Sequence, residues 1–139
     1  MASNRTLAII KPDAFNSGKS GQIVALLEKV GFKIVASRVL RLSEAEAAAF
    51  YAVHKERPFF APLTRFMTSG KCMPMVLERA DAVATLRRVI GATDPAEAEP
   101  GTVRKLYAES KERNAIHASD SDDNAQRETL FFFPEADLV

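Results

Sequence analysis

Four runs rich in apolar and β-branched residues alternate with segments of helical period, and that alternation restricts the fold more than any other feature of the chain. The runs are residues 6–10, 32–42, 72–78 and 115–118. Thr6-Leu7-Ala8-Ile9-Ile10 is a short apolar run that reads as a buried strand, and Pro12 forces the exit. Ile23, Leu26, Leu27 and Val30 recur at helical spacing and Gly31 stops them. Ser43 and Glu46 form a capping box opening an alanine-rich helix to about Tyr51. Arg57-Pro58-Phe59-Phe60 interrupts, then Leu63, Phe66 and Met67 mark a short helix ending at Gly70. In the third run Pro74 argues for an edge strand or a bulge. Asp81 opens a helix to about Ile90, and residues 91–113 form a long connection. Ser121 or a neighbour caps a last helix to about Phe132, which Pro134 ends.

The resulting order is β-α-β-α-α-β-α-β-α. With the two central helices taken as a pair, it reduces to a split βαβ unit repeated twice. That pattern predicts an α+β sandwich of the ferredoxin-like βαββαβ plan, a four-stranded antiparallel sheet with helices on one face. The 139 residues are enough for one domain, expected to span 1–139, with a core of its own. A net charge of +1 argues against a nucleic-acid coat, so attraction for phosphate must come from a few local cations. The single cysteine, Cys72, cannot form an internal disulfide and lies in an apolar run, as expected of a buried thiol in a reducing compartment. No signal peptide or membrane-spanning run is evident, so a cytoplasmic location is expected.

The candidate chemistry centres on residues 114–121, Asn-Ala-Ile-His-Ala-Ser-Asp-Ser. This run places His117 at the end of a strand, before a capped helix, where phosphate is readily held. Neutral imidazole is a capable phosphoryl acceptor. Taken alone, the run reads equally well as a surface loop whose serines cap the next helix. Gly18-Lys19-Ser20 resembles the end of a phosphate-binding P-loop, but Asp13 stands where the first glycine must be, so a tight turn is the better reading. His54, in a polar helix end, reads as a solvated histidine. Lys11 at a strand exit, Arg87 beside Arg88, Arg104 in the long connection and Glu128 on the last helix each read singly as solvated charges. A polyphosphate substrate would need several of these cations to converge. Metal ligation by side chains has little support, since His54, His117 and Cys72 are the only nitrogen or sulfur donors of that kind.

Taken together, these residues resemble the nucleoside diphosphate kinases over nearly the whole chain. The family signature, Asn-x-x-His-Gly-Ser-Asp-Ser with a glutamate in the next helix, is met by residues 114–121 and Glu128. Ile10-Lys11-Pro12-Asp13, Tyr51 with Arg57-Pro58-Phe59-Phe60, Gly91-Ala92-Thr93-Asp94-Pro95 and Pro100-Gly101-Thr102-Val103-Arg104 also agree, in the right order. The short tail after Pro134 resembles bacterial members.

The resemblance implies a ping-pong phosphotransferase. His117 takes the γ-phosphate of a nucleoside triphosphate, mainly ATP, as a phosphohistidine and passes it to a nucleoside diphosphate. It implies that Lys11 and Tyr51 contact the transferring phosphate, and that Arg87, Thr93 and Arg104 hold the distal phosphates. Phe59 would stack on the base, Lys11 and Asn114 would lie near the ribose, and Glu128 and Ser119 would orient the imidazole. Base specificity would be broad. Mg2+ would bridge the phosphates with no direct protein ligand. The assembly would be a homotetramer or homohexamer, acting on nucleotides and not on membranes or specific nucleic acids.

One residue departs from the pattern: Ala118 stands where the family has glycine. If that position needs positive φ, alanine strains it by ~1 kcal/mol; if φ is negative, the methyl group is harmless unless it crowds the site. Ala118 is also the one feature favouring a second reading, a nucleotide-binding regulatory protein that kept the fold and lost turnover. A third, a ferredoxin-like nucleic-acid module, would need a basic sheet face with exposed aromatics, which the strand sequences do not supply.

Overall fold

The computed structural model describes residues 3–139. Four strands, β1 (Arg5–Ile10), β2 (Lys33–Ser37), β3 (Met73–Glu78) and β4 (Ile116–Ala118), form one sheet in the order β2-β3-β1-β4. Every neighbouring pair is antiparallel, as the ferredoxin-like plan requires. Among the described residues seven α-helices surround it: α1 (Pro12–Asn16), α2 (Ser20–Lys29), α3 (Glu44–Phe50), α4 (Phe60–Met67), α5 (Ala82–Ile90), α6 (Val103–Tyr107) and α7 (Asp122–Phe132). Among the described residues no helix is long and apolar enough to cross a membrane.

The expectation of helices on one face is too narrow. Leu7, Ala8, Ile9 and Ile10 of β1 are all fully buried, and successive side chains point to opposite faces. Ala8 and Ile10 pack with Ile23 and Leu27 of α2, Leu86 and Ile90 of α5, and Val103 of α6. Leu7 and Ile9 pack with Ala47 and Phe50 of α3, Met67 of α4 and Phe132 of α7.

Three local expectations need correction. The second strand is shorter than residues 32–42: β2 stops at Ser37 after an irregularity between Ile34 and Ala36, and only an isolated bridge joins Leu40 to Cys72. The third strand is not at an edge, because β3 pairs with both β1 and β2. Pro74 is tolerated there because its carbonyl accepts from the Arg38 N–H just past the end of β2. Its missing N–H therefore faces the side where the β2 ladder has already given out. The long connection, finally, contains the five-residue helix α6, which Thr102 caps by accepting from the Lys105 N–H. Pro12 and Pro134 mark boundaries as read, but Pro12 also starts a helix, at the first position, where no N–H is needed. The capping box is as expected: Ser43 Oγ accepts from the Glu46 N–H and Glu46 Oε1 accepts from the Ser43 N–H.

Candidate active site

Strand register decides where His117 points. It lies directly opposite Ile9, so the two share the sheet face covered by α3, α4 and α7. The imidazole packs edge-on against Phe50 at 5.4 Å and Tyr51 at 6.0 Å between ring centres. Its Nε2 lies 2.7 Å from Oε1 of Glu128 on α7, a carboxylate that also accepts from Ser119 Oγ at 2.9 Å. Arg127 stands 3.7 Å from the other Glu128 oxygen. A carboxylate oxygen can only accept, so Nε2 carries the imidazole proton and the Nδ1 lone pair is left free. Glu128 is buried, not solvated as its helix position suggested, because α7 packs across β1 and Phe132 is anchored in the core.

His117 forms part of the wall of a cavity of about 650 Å3. Val53, Phe59, Pro62 and Leu63 give it an apolar wall, and Lys11, Arg87, Thr93, Arg104 and Asn114 give it a polar one. The cations that read singly as surface charges therefore converge. Phe59, on the same wall, is 48% exposed. Asp120 lines the wall and accepts from Asn124 Nδ2, which holds its carboxyl below the usual range. Tyr51 and Ser119 lie behind His117 and are not on the wall. The Tyr51 hydroxyl is buried with no partner among the described residues, and burial, then the Glu128 charge, pushes its pKa upward.

Two of the cations are buried outright. Lys11 is 7% exposed and donates from Nζ to Asn114 Oδ1 at 2.8 Å. Burial, then the charge of Arg104, lowers its pKa to about 8. Arg104 donates to Gly91 O at 3.0 Å and to Ile116 O at 2.8 Å, which satisfies an outward carbonyl of the edge strand β4. Burial and the neighbouring Arg87 lower its pKa to about 10. Of the adjacent pair on α5, only Arg87 lines this cavity.

His54 was misread as solvated. It is half-buried, lines the cavity and packs on Phe59 at 5.4 Å between ring centres. Its position three residues after Tyr51, before an aromatic pair, was the only available signal. Ala118 lies in β4 with negative φ, so it carries no strain of the kind a glycine would relieve. Ala118→Gly is expected to leave turnover within about twofold and to lower stability by about 0.5–1 kcal/mol through added chain freedom. Parallel kinetics and urea unfolding check both halves. The strained backbone is instead at Ala115, where φ is +74°, and nothing in the sequence marks that alanine.

A sandwich of this topology, with a carboxylate-tethered histidine beside converging cations and an exposed aromatic side chain, defines an enzyme built to handle phosphate-bearing aromatic substrates. Comparison with known proteins narrows the class. The family model for nucleoside diphosphate kinase matches residues 4–138. The Chlorobaculum tepidum nucleoside diphosphate kinase is 53% identical over 135 residues, 97% of this chain and 96% of that one. The Salinibacter ruber one is 48% identical over 139 residues, covering 100% and 98%. Among solved structures, the Aquifex aeolicus nucleoside diphosphate kinase superposes with a TM-score of 0.96 at 43% identity, covering 98% of this chain and 99% of that one. A Halobacterium salinarum nucleoside diphosphate kinase, solved in complex with CDP, gives 0.92 at 42% identity, covering 97% and 90%. The chain belongs to the nucleoside diphosphate kinase family, and its activity is that of a nucleoside diphosphate kinase.

Proposed function

We propose that the transfer runs through a phosphohistidine on Nδ1 of His117, in two half-reactions that use one cavity. The observation that carries this is the Nε2 contact to Glu128: one ring nitrogen is tethered and protonated, and the other keeps its lone pair. In the first half-reaction that lone pair forms a bond to the γ-phosphorus. The bond to the bridging oxygen breaks, its electron pair stays on that oxygen, and the diphosphate leaves. In the second, a terminal β-phosphate oxygen of another diphosphate attacks the phosphorus and the P–N bond pair returns to Nδ1. Neither step needs a strong base, because a neutral ring nitrogen is already nucleophilic. What the chain supplies is alignment and positive charge.

Lys11 holds the transferring phosphate, and Tyr51, off the cavity wall, packs against the imidazole that receives it. Arg87, Thr93 and Arg104 hold the distal phosphates, and Asn114, tied to Lys11, lies near the ribose. Glu128 and Ser119 fix the imidazole. Phe59 stacks on the base, and a ring face accepts any base, which favours broad specificity with ATP as the main donor. CDP in the Halobacterium relative is consistent with a cavity of this kind.

Magnesium fits as an ion carried by the nucleotide. Among the described residues no three His, Cys, Asp or Glu side chains converge into a ligand set. Asp120 and Glu112 are the wall carboxylates not committed to His117. When bound, the ion neutralises phosphate charge.

The test is an intact-mass spectrum after incubation with magnesium and ATP but no acceptor. One added phosphoryl group, labile to acid and removed by GDP, is expected. A chain that turns over with no such species would replace this reading with direct transfer between two bound nucleotides.

A further inference from the structure

One buried ionisable group near the site has no part in the chemistry above. Asp13, in the first turn of α1, is 6% exposed and does not line the nucleotide cavity. A first-turn aspartate ordinarily serves the N–H groups of its own helix, but Asp13 reaches across the chain. Its Oδ2 accepts from the N–H of Ala115 at 3.0 Å, inside the protein, and its Oδ1 has no partner among the described residues.

Ala115 is the residue with φ of +74°. The N–H of Ile116 donates back to Asn114 O at 2.9 Å, closing a three-residue γ-turn with Ala115 at its centre. That form is rare because a side chain opposes it. It persists only where the surroundings over-determine it. Here the peptide groups of Ala115 are held from one segment: Asp13 takes its N–H, and the Lys11 N–H donates to its carbonyl at 2.9 Å.

The turn sits where the parts of the site meet. Before it, Asn114 binds Lys11 Nζ and donates to Thr93 O at 3.3 Å. After it, the Ile116 carbonyl accepts from Arg104, and His117 follows. Relaxing Ala115 to negative φ would swing the Asn114 side chain and re-aim the entry of β4 together.

We propose that Asp13 is a positioning residue of the phosphoryl-transfer site: by holding the N–H of Ala115 it locks the left-handed turn that sets Asn114, and through it Lys11, against His117. The proposal rests on the His117 reading above, and it concerns alignment, so the loss should fall on kcat. The experiment compares Asp13→Ala and Asp13→Asn, each with and without Ala115→Gly, in the full-length protein. Asparagine keeps an oxygen that can accept the N–H. Glycine adopts positive φ without opposition, so it removes part of the need for a lock.

The expected kcat of Asp13→Ala is down by about a hundredfold, the scale of an ångström misplacement, with KM within about threefold. Asp13→Asn should stay within about tenfold of the parent. Adding Ala115→Gly to Asp13→Ala should restore about tenfold, a coupling that two unrelated structural losses do not show. The proposal is overturned if Asp13→Ala keeps kcat within threefold, or if its loss is matched by Asp13→Asn and untouched by Ala115→Gly. Should Asp13→Ala not fold, the double variant decides: folding with turnover supports the lock, and failure to fold overturns it. Phosphoenzyme formation by the parent, measured alongside, separates these outcomes from failure of the phosphohistidine reading.

Discussion

His117→Ala is expected to lower kcat by at least about four orders of magnitude while leaving nucleotide affinity within a few-fold, because it removes a nucleophile and no cation. No other group can take over. His54 lies by Phe59, near the apolar wall of the cavity, and Ser119 is behind the wall, donating to Glu128. The Cys72 thiol is buried in the same core layer as Phe50 and Tyr51 and is not on the cavity wall, and burial pushes it up to about 11, so it is neither accessible nor ionised. The variant should therefore bind substrate and stall. Fluorescence titration with a nucleotide analogue and steady-state kinetics separate the two effects. Loss of affinity in proportion to rate would mean that the imidazole holds substrate and is not the phosphoryl acceptor. A modest stability loss, about 1–3 kcal/mol, is also expected, since Glu128 Oε1 keeps only Ser119 as a close donor.

The outline of this site was legible because its chemistry depends on residue types at fixed spacings. The Asn114–Ser121 run, Glu128 and the scattered cations are visible as letters. Fold class followed from the order of apolar runs, and helix limits from Ser43, Gly31, Ser121 and the prolines. What could not be read was burial of charge. Lys11, Arg104 and Glu128 each look solvated on their own elements, and become interior only when β4 docks on β1 and α7 crosses the same face. The second helical layer was missed for a related reason, since a buried run such as residues 6–10 does not show which elements cover its two faces. The backbone at Ala115 left no trace, because a left-handed alanine is imposed by its partners and not by its own preference. Pro74 misled in the opposite direction: proline argues against an interior strand only where its neighbour's ladder still runs.

Lys11→Met is expected to cut kcat/KM by about a thousandfold without lowering the stability of the nucleotide-free protein, and the reason is the same burial. In the folded chain burial and Arg104 hold the Lys11 pKa at about 8, against 10.5 for an ordinary lysine. Below pH 8 both folded and unfolded chains carry the proton, and the folded one bears the full cost of a desolvated ammonium, about 3 kcal/mol from the shift. Between pH 8 and 10.5 the unfolded chain binds a proton that the folded chain does not, so the parent gains stability as pH rises. Methionine fills similar volume and has no such cost. Against that, Asn114 Oδ1 loses its donor, worth about 1–3 kcal/mol. The two nearly cancel at pH 7, so the variant should match or exceed the parent there by up to about 2 kcal/mol, and the parent should gain about 3 kcal/mol on it on going to pH 10.5. Urea unfolding at the two pH values measures this directly. Activity runs the other way. Asp13 and Glu112 raise the Lys11 pKa and Arg104 opposes them, but the group still loses its proton above about pH 8 in the free enzyme. The parent's kcat/KM should therefore fall above that pH, and the variant's should stay flat. A bound polyphosphate returns the opposite charge that burial withheld, so nucleotide binding above pH 8 should take up a proton in the parent and none in Lys11→Met.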